Sequence, residues 1–260
     1  MNSLLLWIIS FTLLGGLLSA LAASLFMVAS KSLRLMLVPH LVSFATGALL
    51  GAALLGLLPH AIEGAGTENV HRVGLAVLIG ILIFFVLEKL VLWRHCHHDE
   101  CEAHGPGEAQ RDAASASMVL IGDGLHNLLD GVLIGAAFLT DVQLGIVTSV
   151  AVIAHEIPQE VGEVAVLLQS GMSRTKALTY NVLISLTTVV GGVGAYFGLA
   201  DAGSALPYVL AVAASSFLYV AVADLIPGLH RKIDAQTSVL QVVLIALGVA
   251  VIYFSHSAVH

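Results

Sequence analysis

Three observations predict an all-α integral membrane protein with about eight transmembrane helices. Hydrophobic residues make up 58% of the 260 residues and charged residues only 10%, and the mean hydropathy is +0.98. An ordinary soluble domain has about 25% charged residues, so the composition excludes a soluble fold. A bilayer core of roughly 30 Å needs about 20 apolar residues for each helical span, and the chain divides into stretches of about that length.

Eight apolar stretches account for most of the sequence. They cover residues 4–29, 36–58, 73–93, 116–139, 143–169, 177–199, 206–227 and 238–258. The first stretch lacks a charged segment before it and is too long for a cleavable signal, so we expect it to be the first span. Because the connections are short, we expect one polytopic membrane domain over residues 1–260.

The basic residues predict the orientation of these spans. Nine of the ten Lys and Arg residues lie in or beside the odd-numbered connections, and Arg72 alone lies in an even-numbered one. The positive-inside rule makes the odd-numbered side cytoplasmic, with both termini outside. We expect the chain to lie in a cell (inner) membrane. The same scattered distribution is not a nucleic-acid footprint, which would require clustered basic residues.

The third connection, residues 95–115, is hydrophilic and rich in potential metal ligands. These are His95, Cys96, His97, His98, Cys101 and His104. On the reducing cytoplasmic side we expect the two cysteines to be thiols. The segment lacks a rigid spacing such as paired CxxC, so two interpretations stay open: a solvated loop that binds metal incidentally, or a metal acceptor or sensor.

Spans four and five contain most of the ionisable residues inside the predicted membrane region. Such residues cost several kcal/mol in lipid and mark functional sites. GDGLHNLLDG in span four places one stripe of polar residues along the helix: Asp123, His126, Asn127 and Asp130. HEIPQEVGE in span five places two adjoining faces: His155 with Gln159, and Glu156 with Glu160 and Glu163.

Facing polar stripes of this kind predict a cation site. Two imidazoles and a carboxylate suit Zn²⁺, and Fe²⁺ and Mn²⁺ accept the same ligands. Pro158 removes a backbone hydrogen bond, so a freed carbonyl near Ala154 would be an extra ligand or a hinge. A proton relay or a path for a polar substrate uses the same side chains and remains the alternative.

At these motifs the sequence resembles the ZIP family of zinc and iron transporters, in the branch whose fifth helix carries HExPHExGD. HNLLDG resembles the HNxxDG pattern, and HEIPQEVGE matches the fifth-helix motif except at Gln159 and Glu163. LLPHAIE in span two and FLYVAVADLIP in span seven extend the resemblance over essentially the whole chain. It implies inverted three-helix repeats (helices 1–3 and 6–8) around helices 4 and 5, and a homodimer.

The resemblance also implies a ligand set. Its primary site would comprise His126, Asp130, His155 and Gln159, and its second site Asn127 and Glu156, with Asp130 and Gln159 bridging. Gln159 is a neutral amide that bridges two cations poorly, and Thr188 stands near a position where some members have glutamate. We therefore expect one well-formed site and a weak or absent second one.

Other polar residues are candidates for the transport path. We expect Asp123, Glu160 and Glu163 to extend the polar stripes toward the two membrane surfaces. His60 and Glu63 would attract cations at the outer end of span two or would be ordinary interfacial residues. Asp224 in span seven would line the path or pair with a neighbour.

The function that these residues and the resemblance predict is zinc uptake toward the cytoplasm. Fe²⁺, Mn²⁺ and Cd²⁺ are alternative substrates, and no resident cofactor is expected. A membrane-embedded metal sensor would use the same site without flux. An intramembrane zinc hydrolase would need HExxH, which Gln159 interrupts. No nucleotide-binding loop is present in the sequence, so direct coupling to ATP is not expected.

Overall fold

A computed structural model describes residues 3–96, 108–230 and 235–257, and every regular element in these ranges is a helix. Eight long helices are described. They are α1 (Ser3–Val28), α2 (Lys31–Gly51, Ala52–Leu57 and Leu58–Ala65), α3 (Val70–Cys96), α4 (Glu108–Thr140), α5 (Val142–Gln169), α6 (Arg174–Leu199), α7 (Leu206–Tyr219, Val220–Leu225 and Ile226–Leu229) and α8 (Ala235–Ser257). The predicted all-helical membrane fold is confirmed.

Six of these described helices contain a segment that is long and apolar enough to cross a bilayer. The other two are α4 and α5, which contain the polar stripes predicted from the sequence. Their ionisable and amide side chains lower the mean hydropathy of both helices. The fold therefore places the two described long helices that lack such an apolar segment where polar groups can face each other and not lipid.

The third connection is shorter than the predicted 95–115 segment. Helix α3 continues to Cys96 and α4 begins at Glu108, whereas residues 97–107 lie outside the described part. Polar composition suggested a loop over the whole segment, but Glu, Ala, Gln and Arg after Gly107 are good helix formers. A helix that leaves the bilayer can continue in such a sequence.

A single residue, Asp141, connects α4 to α5. Its side chain accepts hydrogen bonds from the backbone N–H groups of Gln143 at 2.9 Å and Leu144 at 3.0 Å, and so caps the start of α5. Since the connection is so short, the two helices run antiparallel and lie side by side. Early residues of α4 therefore lie level with late residues of α5.

Glycines allow α4 to pack closely against α6. A Cβ atom at Gly131 would meet the backbone carbonyl of Thr188, and one at Gly191 would meet the carbonyl of Leu128. Small residues at such crossings let helices approach in lipid, where van der Waals packing drives association. The contact places α6 beside the polar stripe of α4.

The helices pack as two groups. Helices α1, α4, α5 and α6 contact one another extensively, while α2 packs on α8 and α3 packs on α7. The main contact between the groups is that of α5 with α2. The polar residues of α4 and α5 thus belong to the group formed by α1, α4, α5 and α6.

Helices α2 and α7 share an irregularity. Each contains a six-residue π-helical segment, Ala52–Leu57 or Val220–Leu225, followed directly by a Leu-Pro or Ile-Pro pair. A proline lacks the N–H that would bond one turn back, and a wider helical turn accommodates its ring. The second helix of each predicted three-helix repeat thus contains a π-helical segment just before a proline. This similarity agrees with an internal duplication.

Candidate metal site

Four side chains from the middle of α4 and α5 converge inside the bundle. His126 and Asp130 come from α4, and His155 and Glu156 come from α5. Asp130, His155 and Glu156 are buried, at 1%, 2% and 4% exposure, while the His126 side chain is 22% exposed. One face of the cluster is therefore accessible through His126, and the rest is enclosed.

The separations between the ligand atoms match a tetrahedral metal site. The Nε2 atoms of His126 and His155 are 3.2 Å apart. From His126 Nε2, the distances to Asp130 Oδ2 and Glu156 Oε1 are 3.8 and 3.4 Å, and from His155 Nε2 they are 3.1 and 3.7 Å. A tetrahedron with zinc–ligand bonds of about 2.0–2.2 Å has edges of about 3.3–3.6 Å. The four atoms can reach a single ion with small adjustments.

The orientation of His155 is fixed by its other ring nitrogen. Nδ1 lies 3.1 Å from the backbone carbonyl oxygen of Ala151, and a carbonyl can only accept a hydrogen bond, so Nδ1 carries the proton. The neutral ring then presents the lone pair of Nε2 to the centre of the cluster. A histidine that donates its outer N–H to a carbonyl is the usual arrangement of a metal ligand.

Two carboxylate oxygens in the cluster lack a hydrogen-bond donor. Asp130 Oδ2 and Glu156 Oε1 are buried, and neither has a hydrogen-bond partner among the described residues, although both lie close to imidazole nitrogens. Buried polar atoms are normally paired, and unpaired buried charge is costly. A cation at the centre would satisfy both oxygens together with the imidazole lone pair.

The residue at position 159 differs from the implied ligand set. Gln159 Nε2 donates to Glu163 Oε1 at 3.2 Å, one turn further along α5. The carboxylate that completes the four-residue cluster is that of Glu156, which the family resemblance had assigned to a second site. Glu156 thus takes the position in the cluster that the resemblance implied for Gln159, while Gln159 contacts Glu163.

Asn127, the other implied ligand of the second site, is buried and held by two neighbours. Its Nδ2 atom donates to Asp123 Oδ1 at 2.7 Å, and Thr188 Oγ1 donates to its Oδ1 at 2.8 Å. Thr188 therefore uses the amide oxygen that a second cation would need. The weakness of the second site implied by the family stays a prediction.

A second group of acids lies beside the histidine cluster. Asp123, Glu160 and Glu163 each offer a carboxylate oxygen, and these atoms lie within 4.8 Å of one another. The prediction that they extend toward the two opposite surfaces was wrong. Because α4 and α5 are antiparallel, residues early in α4 and late in α5 lie at the same end of the bundle.

Helix α6 supplies polar partners that sequence reasoning largely missed. Asn181 Nδ2 and Ser185 Oγ both donate to the Glu160 carboxylate, the latter at 3.2 Å. Asn181, Ser185 and Thr188 have offsets of 0, 4 and 7 in the sequence, which places them on one helical stripe. That stripe was a signal, but its small polar residues are individually common in spans.

The outer candidates do not join these clusters. His60 Nδ1 lies 2.9 Å from the Gly56 carbonyl oxygen, Glu63 is exposed, and Asp224 is exposed within the π-helical segment of α7. Helix α5 continues through Pro158. Of the His-rich segment, His97, His98, Cys101 and His104 lie outside the described residues, as do the side chains of His95 and Cys96.

An all-helical membrane bundle with a buried imidazole and carboxylate cluster defines a protein that handles divalent metal inside the bilayer. A family model described as ZIP zinc transporter matches residues 3–113 and 93–256. These matches cover nearly all of the sequence. The chain therefore belongs to the ZIP zinc transporter family, as the motifs predicted.

Curated relatives agree with this assignment. The chain is 28% identical to the zinc transporter zipt-7.1 of Caenorhabditis briggsae over 97% of its length, covering 80% of the relative. It is 32% identical to zinc transporter ZIP13 of Pongo abelii over 82% of its length, covering 65% of that protein. With zinc transporter ZIP10 of Homo sapiens the identity is 41%, over 52% of this chain and 17% of the relative. These names support a transporter and not an enzyme.

Proposed function

We propose that this protein transports divalent transition-metal ions, with zinc as the main substrate, through the cluster of His126, Asp130, His155 and Glu156. The observation that carries the proposal is the convergence of four ligand atoms, in which the five separations that involve an imidazole nitrogen are 3.1 to 3.8 Å, close to the edges of a tetrahedral site. Relatives named as zinc transporters support zinc as the substrate.

The chemistry of the cluster suits a site that binds and releases. Two imidazoles and two carboxylates favour Zn²⁺ but also accept Fe²⁺, Mn²⁺ and Cd²⁺. The partial exposure of His126 leaves one ligand open to the exterior of the described bundle. A metal ion would partly dehydrate, bind between α4 and α5, and leave when the surroundings of the site change.

The packing supports alternating access by relative motion of the two helix groups. Helices α1, α4, α5 and α6 share most of their contacts with one another, so the metal cluster would travel with them as one unit. The distribution of basic residues supports uptake toward the side of residues 97–107, with the termini outside. A homodimer in a cell membrane is part of the same proposal.

Flux into proteoliposomes is the direct test. Zn²⁺, Fe²⁺, Mn²⁺ and Cd²⁺ are offered outside vesicles containing the full chain, and the rates are compared for wild type, His155→Ala and Asp130→Ala. We expect saturable zinc flux that both substitutions abolish. The matched control is Glu68→Gln, which changes an exposed carboxylate far from the cluster in sequence. Binding of zinc without flux would favour a membrane-embedded sensor instead.

A further inference from the structure

A second set of cation ligands lies beside the histidine cluster, and it contains no nitrogen ligand. Asp123 and Glu160 are buried, at 4% and 0% exposure, and Glu163 is partly buried. One carboxylate oxygen from each lies within 4.8 Å of the others. Three acids this close repel one another strongly unless a cation or a shared proton lies between them.

Only neutral groups compensate these carboxylates in the described part of the chain. Asp123 accepts from the Asn127 amide at 2.7 Å, Glu160 from the Ser185 hydroxyl at 3.2 Å, and Glu163 from the Gln159 amide at 3.2 Å. The described ion pairs all involve Asp130 or Glu156 with the two histidines. None of the Lys and Arg residues whose side chains the structure describes forms an ion pair with the acidic group.

A side chain of α6 can add a fourth oxygen to this group. Asn181 is 2% exposed, and its amide reaches the Glu160 carboxylate through Nδ2. The oxygen of the same amide, Oδ1, is buried without any hydrogen-bond donor. Oxygen and nitrogen exchange places when an amide turns over, so Asn181 can present this unpaired oxygen to an ion held by Glu160.

The position of the acids fits a second step in the same path. Asp123 precedes Asp130 by seven residues on α4, and Glu163 follows Glu156 by seven on α5. At a rise of 1.5 Å per residue, seven residues correspond to about 10 Å along a helix. Both displacements are toward the end of the bundle where α4 begins and α5 ends.

We propose that Asp123, Glu160 and Glu163, with the amide oxygen of Asn181, form a second divalent-cation site with oxygen ligands only. As a step in transport it rests on the proposed function, because it would receive the ion from the histidine cluster on its way to the side of residues 97–107. Carboxylate and carbonyl oxygens suit hard ions such as Mn²⁺ and lack the imidazole nitrogens that strengthen zinc binding. The site therefore releases zinc more readily than the imidazole cluster does.

Mn²⁺ binding to the purified full chain in detergent tests this site without requiring flux. Electron paramagnetic resonance counts bound Mn²⁺, and electron spin echo modulation detects nitrogen from coordinated imidazole. We expect two Mn²⁺ ions per wild-type chain in these clusters, one with nitrogen modulation and one without. If all bound Mn²⁺ shows nitrogen modulation, the proposal is overturned.

Paired variants assign the two signals. His126→Ala with His155→Ala should remove the nitrogen-coupled Mn²⁺ and keep the other. Asp123→Asn with Glu160→Gln should do the reverse, and its surviving nitrogen signal shows that the protein is folded. Both pairs also lack residues 95–104, because the histidines of that segment would hold Mn²⁺ with nitrogen modulation. Nitrogen-free Mn²⁺ held elsewhere would survive the second pair, so its retention there refutes the assignment. Glu68→Gln should change neither signal.

The binding result is separable from the transport result. Absence of flux with two Mn²⁺ signals present would contradict the proposed function and leave the oxygen site standing. Zinc flux with only the nitrogen-coupled signal would contradict the oxygen site and leave the proposed function standing.

Discussion

Replacing Asp130 by Asn should remove most of the stabilisation that zinc gives to the folded protein. Asp130 Oδ2 lies 3.1 Å from His155 Nε2 and 3.8 Å from His126 Nε2, so its carboxylate contributes to two edges of the metal site. Replacing a residue that merely supports a metal ligand weakens binding by about 10–100-fold. We therefore expect loss of this ligand to weaken zinc binding by at least about 100-fold.

The expected size of the effect follows from linkage. Zinc at 100 times the wild-type Kd stabilises the folded state by about 2.7 kcal/mol, whereas the same concentration equals the Kd of the variant and contributes only about 0.4 kcal/mol. For a chain of this size, 1 kcal/mol corresponds to about 2–4 °C in Tm. Zinc should raise the wild-type Tm by about 5–11 °C and that of Asp130→Asn by about 1–2 °C.

The assay is thermal unfolding of the detergent-solubilised protein with and without zinc, with Glu68→Gln as the control. Asp130 Oδ2 is buried without a hydrogen-bond donor, so the metal-free variant should be at least as stable as metal-free wild type. A smaller zinc-induced shift in Tm, without a loss of metal-free stability, distinguishes a metal ligand from a residue that only supports the fold. A full zinc-induced shift in Asp130→Asn would refute the assignment of this carboxylate to the site.

Three further predictions concern the pH, the helix contact and the third connection. Zinc affinity should fall as the pH drops through the histidine range near about 6.5, because protons compete for His126 and His155; isothermal titration at several pH values measures this. Gly131→Val should destabilise the α4–α6 contact by at least about 1–3 kcal/mol, whereas Gly194→Ala, which adds a methyl group in open space, should be neutral in the same melts. Deleting residues 95–104 should leave the zinc Kd unchanged.

Each of these three predictions can be contradicted by a specific result. An affinity that is constant between pH 5.5 and 7.5 would mean that the imidazoles are not ligands, the pH limits being about one unit on either side of the histidine range. Equal melting temperatures for the two glycine variants would mean that the α4–α6 crossing is looser than described. Weaker binding after the deletion would make the His-rich segment part of the site.

The sequence was sufficient to predict the eight helices and the two polar stripes, since both depend on local properties. Hydrophobic length defines a span, and offsets of 3, 4 and 7 define a helix face. The identity of the fourth ligand depends instead on how α4 and α5 rotate against each other. Glu156 and Gln159 lie on adjoining faces of α5, and a small rotation decides which faces His126.

The arrangement of the acids was not predictable for a related reason. Asp123 and Glu163 were assigned to opposite surfaces because each stripe was considered along its own helix. The contribution of α6 depends on the close crossing at Gly131 and Gly191, which no periodicity in one span reveals. Tertiary contacts with α6 explain why Glu160 is fully buried and why Asn181 and Ser185 matter.

The single-residue connection at Asp141 has a consequence for how the protein enters the membrane during synthesis. Each Asp costs about 2.5–3.5 kcal/mol at the centre of an inserting helix, and α4 and α5 both contain several ionisable groups. Neither helix is well suited to partition into lipid alone. Joined by one residue, they can pass from the insertion machinery as a hairpin whose polar faces cover each other, so that the metal ligands are already paired before α6 arrives.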